Sequence, residues 1–208
     1  MIVRFMLGIS LSFICATHVQ AGQRGADQVT EQVSQWRQAH EQQIVDQFAE
    51  LLGIPNVAAD KANIRKNAEY ISQLLTDVGM STELLEVEGG NPVVFGERNV
   101  PGATKTIMIY VHYDGQPVNP DNWDSDPWTP VMRTDMVENG GEQVPIMVPF
   151  DPNWRIFARS AGDDKAPVVA LQSALLALAD AGIEPTVNLL YFTKGRHRLM
   201  ACQAYTTL

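Results

Sequence analysis

From Thr106 to His112 the chain is almost continuously apolar, and the run stops at His112-Tyr113-Asp114-Gly115. A segment this short and this apolar reads as a strand, and one that is apolar on both faces belongs in the buried centre of a sheet covered by other elements. The other segments fit that frame. Apolar residues at Val29, Val33 and Trp36, then Ile44, Phe48 and Leu51, form one stripe of an amphipathic helix that Gly53 and Pro55 terminate. Ile64, Ala68, Ile71, Leu75 and Val78 form a second, with Asp60 placed to cap its start and Gly79 to end it. Thr82 to Val87 and Pro92 to Gly96 read as short strands around a Glu88-Gly89-Gly90-Asn91 turn, and Trp154 to Ala158 as another. Pro167 opens a third helix that runs from Val168 to Ala181 and closes at Gly182, before a buried-type strand from Val187 to Phe192. Strand, turn, helix and strand in that order form a crossover unit, so the expected class is α/β, a mainly parallel sheet with helices on both faces.

Composition narrows the functional classes. Of 208 residues, 45% are hydrophobic and 19% charged, which supports a buried core and excludes a disordered chain. A net charge of −9 argues against a nucleic-acid or anionic-membrane surface. Met1 to Arg4, the apolar run Phe5 to Ala16 and Val19-Gln20-Ala21 follow the pattern of a secretory leader. Residues 1–21 are therefore expected to be a signal peptide and the protein to be exported, periplasmic or secreted, with no membrane anchor once the leader is removed. Twelve apolar residues fall short of the roughly 20 that span a bilayer. Cys15 lies in that leader, so Cys202 is the single cysteine of the mature chain and no disulfide framework is expected.

Two groups of residues carry chemistry. His112 and Asp114 leave one face of the strand at its C-terminal end, where open α/β sheets bind their ligands, so the carboxylate can fix the tautomer of a metal-binding imidazole. Ser160-Ala161-Gly162-Asp163-Asp164-Lys165 lies between a strand and a helix N-terminus. Its two carboxylates suit a helix cap, or, if the two motifs end strands of one sheet, a cation shared with His112. No dinucleotide-binding glycine fingerprint, phosphate-loop lysine motif or Gly-x-Ser-x-Gly elbow occurs. His40 reads as structural and His18 belongs to the leader. Gly115 to Asn153 is a proline-rich loop with one hairpin, in which Asp121, Asp124 and Asp126 read as a solvated acidic segment.

In their order along the chain, Ile54-Pro55, Ile109 to Val118, Asp124 to Pro130 and Ile156 to Lys165 together resemble the co-catalytic zinc exopeptidases, a family that includes carnosinase-like dipeptidases, glutamate carboxypeptidase, aminoacylases and succinyl-diaminopimelate desuccinylase. The resemblance covers Val29 to Phe192 and implies a zinc-peptidase-like fold. It implies hydrolysis of a peptide or N-acyl amide bond in a small peptide or N-acyl amino acid, with two zinc ions as cofactor. By position, His112 and Asp163 correspond to metal ligands, Asp163 bridging the two ions. Asp114 corresponds to the catalytic-site carboxylate that orients His112, and the Asp163-Asp164 bond is expected to be cis. Ala158, Ser160 and Ala166 stand where glycines are common in the family.

The resemblance breaks after Phe192. Where the family has Glu-Gly-x-Glu-Glu, this chain reads Thr193-Lys194-Gly195-Arg196-His197-Arg198, so the general base and a zinc ligand are replaced by His197 and Arg198. The sixteen residues from Thr193 to Leu208 contain three lysines or arginines and no acid. The expected organisation is thus a leader, residues 22–192 as the N-terminal part of a truncated catalytic domain, and a basic tail at 193–208 outside the family pattern. The remaining ligands and the family's dimerisation insert are missing. Two ligands imply weak, incomplete zinc binding and little or no turnover; the alternative is an inactive remnant or a binding protein of the same fold. A change of reading frame near Phe192 accounts for such a tail. On that account, the codons for Tyr191 to Leu208 read in another frame encode Glu-Gly-x-Glu-Glu and run on for a domain's length; nucleotide sequencing showing no such frame would leave the tail as genuine.

Overall fold

Two sheets organise the chain. In the computed structural model, which describes residues 10–195 and their side chains from Gly25 onward, a four-stranded sheet has the order β1-β2-β7-β3 and a three-stranded sheet the order β5-β4-β6. The strands are β1 (Ser81–Leu85), β2 (Val93–Arg98), β3 (Thr106–His112), β4 (Val131–Arg133), β5 (Gln143–Val144), β6 (Arg155–Phe157) and β7 (Asn188–Lys194). The helices are α1 (Ser10–Ala39), α2 (Glu41–Gly53), α3 (Lys61–Thr76) and α4 (Ala166–Asp180).

The expected α/β class is the observed one, but the sheet is mixed rather than mainly parallel. β1 and β7 pair antiparallel with β2, and the one parallel pairing joins β3 to β7, with Ile109 opposite Tyr191 and His112 opposite Lys194. The reason lies in β6. Its three residues pair antiparallel with β4 in the smaller sheet, so the strand that precedes α4 is not the parallel partner of the strand that follows it. β7 occupies the interior of the larger sheet and β3 lies outermost in its order. β3 is accordingly not the buried central strand its composition suggests: Ile107, Met108 and Tyr110 are each at least half exposed. Thr193 and Lys194, assigned to the divergent tail by sequence, complete β7 in register with β2.

Among the described residues the helices cover one face of this sheet, not both. Val94, Val111, Leu189 and Tyr191 share a core with Ile64, Ala68, Ile71 and Leu75 of α3 and with Val168, Val169 and Leu175 of α4. α1 and α2 pack against α4 rather than against the sheet's other face, which carries Tyr110 and Phe192 with ring centroids 6.4 Å apart. Full burial of each large aliphatic side chain in this core contributes about 2 kcal/mol. The α3 boundaries follow local chemistry. The Asp60 carboxylate accepts from the Asn63 backbone N–H at 3.1 Å, and Gly79 leaves the helix with φ 79°.

The first amphipathic stripe is two helices, not one. The break falls at His40, whose Nδ1 lies 2.7 Å from the Trp36 carbonyl and whose ring stacks on Trp36 with centroids 4.1 Å apart. His40 is structural, as its place in the stripe suggests. The long segment before β6 contains the expected hairpin, β4 with β5.

Candidate metal centre

β3 delivers His112 as its last residue, and the tight turn of residues 161–165 between β6 and α4 delivers Asp163 and Asp164. The two motifs do not end strands of one sheet. They meet because the turn folds back over the end of β3. Asp163 (φ −137°, ψ 88°) and Asp164 (φ −145°, ψ 38°) leave helical geometry inside this turn, and the bond between them is cis.

His112 Nε2 lies 2.8 Å from Asp163 Oδ1. On the other side of the ring, Nδ1 lies 3.1 Å from the Asp114 carbonyl oxygen and 3.4 Å from Asp114 Oδ1. Both ring nitrogens therefore face oxygen acceptors, Asp114 at Nδ1 and Asp163 Oδ1 at Nε2. With the proton on Nδ1, Nε2 would present its lone pair beside the Asp163 carboxylate, the arrangement in which both atoms can ligate a metal ion. Tetrahedral zinc with N and O ligands at about 2.0–2.2 Å sets those ligands about 3.3 Å apart. Asp163 is largely exposed, its side chain 83% accessible, so a small opening of the pair meets little packing resistance. Asp114 is buried, and its Oδ1 has no hydrogen-bond partner. A buried carboxylate oxygen left over beside Nδ1 is the group that would take up the ring proton more fully when Nε2 is coordinated. The donor set therefore fits a cation, although among the described residues no group of three or more His, Cys, Asp or Glu side chains forms a metal cage. His197, the remaining imidazole near this end of the chain, lies outside the described residues, as does Arg198.

Sequence reasoning did not find the support beneath these side chains. Asn56, fully buried, lies in the segment after α2 that runs parallel to residues 113–115 through a bridge between Val57 and Gly115. Its Nδ2 donates to the Tyr113 carbonyl at 2.6 Å and to Ser160 Oγ at 3.0 Å, and its backbone carbonyl accepts from Gly115 N–H at 2.7 Å. Gly115 is required by that closeness: a Cβ there would stand 2.7 Å from Ser160 Oγ and 2.9 Å from Asn56 Oδ1. Ser160 holds a left-handed backbone, φ 64°, at a cost of about 1 kcal/mol for a residue with a Cβ. The signal for Gly115 was its place after Asp114; nothing local marks Asn56.

Lys165 closes the turn. Its ammonium is fully buried and donates to the Leu51 and Ile54 carbonyls at 2.7 and 2.8 Å, at the C-terminal end of α2. Leu51 O also accepts from the Ile54 backbone N–H at 3.4 Å, and a cation is favoured at this end of the helix by its dipole. Burial pushes the Lys165 ammonium down to about 7. Tyr113 anchors the other side, its hydroxyl donating to the Pro92 carbonyl at 2.5 Å, and burial pushes that phenol well above its usual range.

This geometry can be set beside known proteins. No family model matches the chain. The Cys-Gly metallodipeptidase dug1 of Schizosaccharomyces pombe is 29% identical over 166 residues, which make up 74% of this chain and 31% of the relative. The M20 family metallo-carboxypeptidase Sso-CP2 of Sulfolobus solfataricus superposes with a TM-score of 0.57 at 29% identity, over 73% of this chain and 30% of that one. The chain is thus similar to a metallodipeptidase and to an M20 metallo-carboxypeptidase over about three quarters of its length. Human carnosine dipeptidase 1 shares the fold, with a TM-score of 0.65 at 19% identity over 83% of this chain and 36% of that one. The chain spans about a third of the length of the proteins it matches.

The comparison corrects one expectation. The matched dug1 relatives are cytosolic yeast enzymes, which overturns the expectation of an exported, periplasmic or secreted protein. Among the described residues no helix is long and apolar enough to cross a membrane.

Replacing Lys165 with Met keeps the bulk of the side chain and removes both donors. The Ile54 carbonyl then loses its donor and Leu51 O keeps only the 3.4 Å bond from Ile54 N–H, and Lys165→Met is expected to lower unfolding stability by about 2 kcal/mol, read by chemical denaturation. An unchanged midpoint would mean that the two carbonyls find other donors.

Proposed function

We propose that this chain carries the His112–Asp163 half of a zinc-dependent exopeptidase or amidohydrolase site acting on a peptide or N-acyl amide bond in small substrates. The observation that carries the reading is the 2.8 Å approach of His112 Nε2 to Asp163 Oδ1, backed by Asp114 on the far side of the ring. The relatives' names, metallodipeptidase and metallo-carboxypeptidase, support the same chemistry.

Zinc bound at such a site supplies Lewis acidity toward a scissile carbonyl. His112 would contribute one neutral nitrogen, and Asp163 a carboxylate whose two oxygens suit a pair of ions. A proton on Nδ1, facing the Asp114 carbonyl with the carboxylate beside it, would keep Nε2 free to coordinate. Lys165 and Asn56 fix the turn and the end of β3 on which these groups sit. No residue described at the end of β7 provides a general base: Thr193, Lys194 and Gly195 follow Phe192 there.

A second reading, an inactive remnant or a binding protein that keeps the fold, is favoured by one specific observation. Only two candidate ligands converge among the described residues, fewer than the three that catalytic zinc sites ordinarily take from the protein. Isothermal titration with zinc, paired with dipeptide and N-acyl amino acid hydrolysis, separates the two. The account expects weak zinc binding that His112→Ala abolishes, with hydrolysis at least a hundredfold below that of a full-length relative. Binding unaffected by His112→Ala would refute the assignment of His112, and turnover comparable to a full-length relative would sink the incomplete-site reading.

A further inference from the structure

Ser160 is the only non-glycine residue with positive φ among the described residues, and it stands at the corner where the chain turns from β6 into the loop bearing Asp163. Its hydroxyl is buried rather than solvated, and it accepts from Asn56 Nδ2. The same amide nitrogen donates to the carbonyl of Tyr113, the residue after His112. Both N–H bonds of one buried amide are thus committed, one to each of the two segments that carry His112 and Asp163. No other buried side chain hydrogen-bonds to both segments among the described residues. Gly115 N–H, bonded to the Asn56 carbonyl, adds a third tie on the His112 side.

We propose that Asn56 and Ser160 form a clasp of positioning residues that sets the separation of His112 Nε2 and Asp163 Oδ1 and, through it, the affinity of the site for a divalent cation. The inference rests on the reading of His112 and Asp163 as ligands, and it assigns to Asn56 and Ser160 no contact with the ion or the substrate. The strained serine fits this role better than glycine would. Glycine relaxes the left-handed backbone but gives up the arm that Asn56 holds, whereas alanine keeps the strain and loses the arm. Replacing Asn56 by Asp, nearly the same in shape, puts an acceptor where two donors stood, facing the Tyr113 carbonyl and the Ser160 hydroxyl.

The test uses the full chain and two readouts. Cobalt(II) titration followed by visible absorption measures affinity. The ring-nitrogen shifts of His112, recorded by NMR at fixed pH in the metal-free protein, report its contact with Asp163. Ser160→Ala and Asn56→Asp are each expected to weaken cobalt binding about tenfold, the scale typical for groups that orient ligands. The double variant is expected to lose little more than the worse single one, since either change opens the same clasp. In the metal-free protein both variants are expected to move the His112 shifts toward those of Asp163→Ala. Ile71→Val, a core change remote from the clasp, should lower the melting temperature and leave both readouts alone. If Ser160→Ala lowers only the melting temperature, keeping cobalt affinity and the His112 shifts, the positioning role is refuted. Should the parent chain bind no cobalt, the ligand reading fails, and the metal-free shifts still decide the clasp. Should Asn56→Asp fail to fold, Ser160→Ala decides both readouts.

Discussion

Everything at this site depends on a carboxylate oxygen and an imidazole nitrogen held 2.8 Å apart by two segments that belong to different sheets. Both nitrogens of the ring face oxygen acceptors, Asp114 at Nδ1 and Asp163 Oδ1 at Nε2, so the place between Nε2 and Asp163 suits a ring proton or a metal ion. The surrounding structure maintains that juxtaposition. β7 pairs with β3 up to His112, Lys165 ties the Asp163 turn to the end of α2, and Asn56 bonds to both segments at once. Lys165 and Asn56 are buried polar groups with donors satisfied, which makes the base of the arrangement rigid, whereas Asp163 itself is exposed.

Much of this was legible in the residues. β3 falls where the apolar run places it, α3 is capped by the Asp60 that its spacing predicts, and α4 begins beside Pro167. What local pattern could not supply was pairing. A continuous apolar run is equally compatible with an interior strand and with an outer one whose other face awaits cover, and β3 is outermost. The three residues of β6 carry no mark of their sheet, so the crossover inferred through α4 assigned them the wrong partner. His40 interrupts a helical stripe without any glycine or proline to signal it.

The site divides in the same way. His112, Asp114 and Asp163 stand out because their residue types are chemically loaded and follow strands. Asn56 does not, because its importance comes from reaching Tyr113 and Ser160, far away in sequence. Lys165 looks like a charged residue at a helix start, and only its complete burial against two carbonyls reveals a structural cation. Leader-like residues at the N-terminus suggested export, yet the matched relatives are cytosolic enzymes; an apolar, small-residue pattern also suits the helix that α1 forms.

The chain is similar to a metallodipeptidase and an M20 metallo-carboxypeptidase and spans about a third of their length. On the proposed reading, His112 and Asp163 share one cation. Anomalous diffraction at the zinc absorption edge, on crystals of the chain equilibrated with zinc, locates that ion directly. The account predicts a zinc peak bonded to both His112 Nε2 and Asp163 Oδ1, with Asp114 against Nδ1; a peak bonded elsewhere, or His112 and Asp163 still in direct contact at saturating zinc, would contradict it.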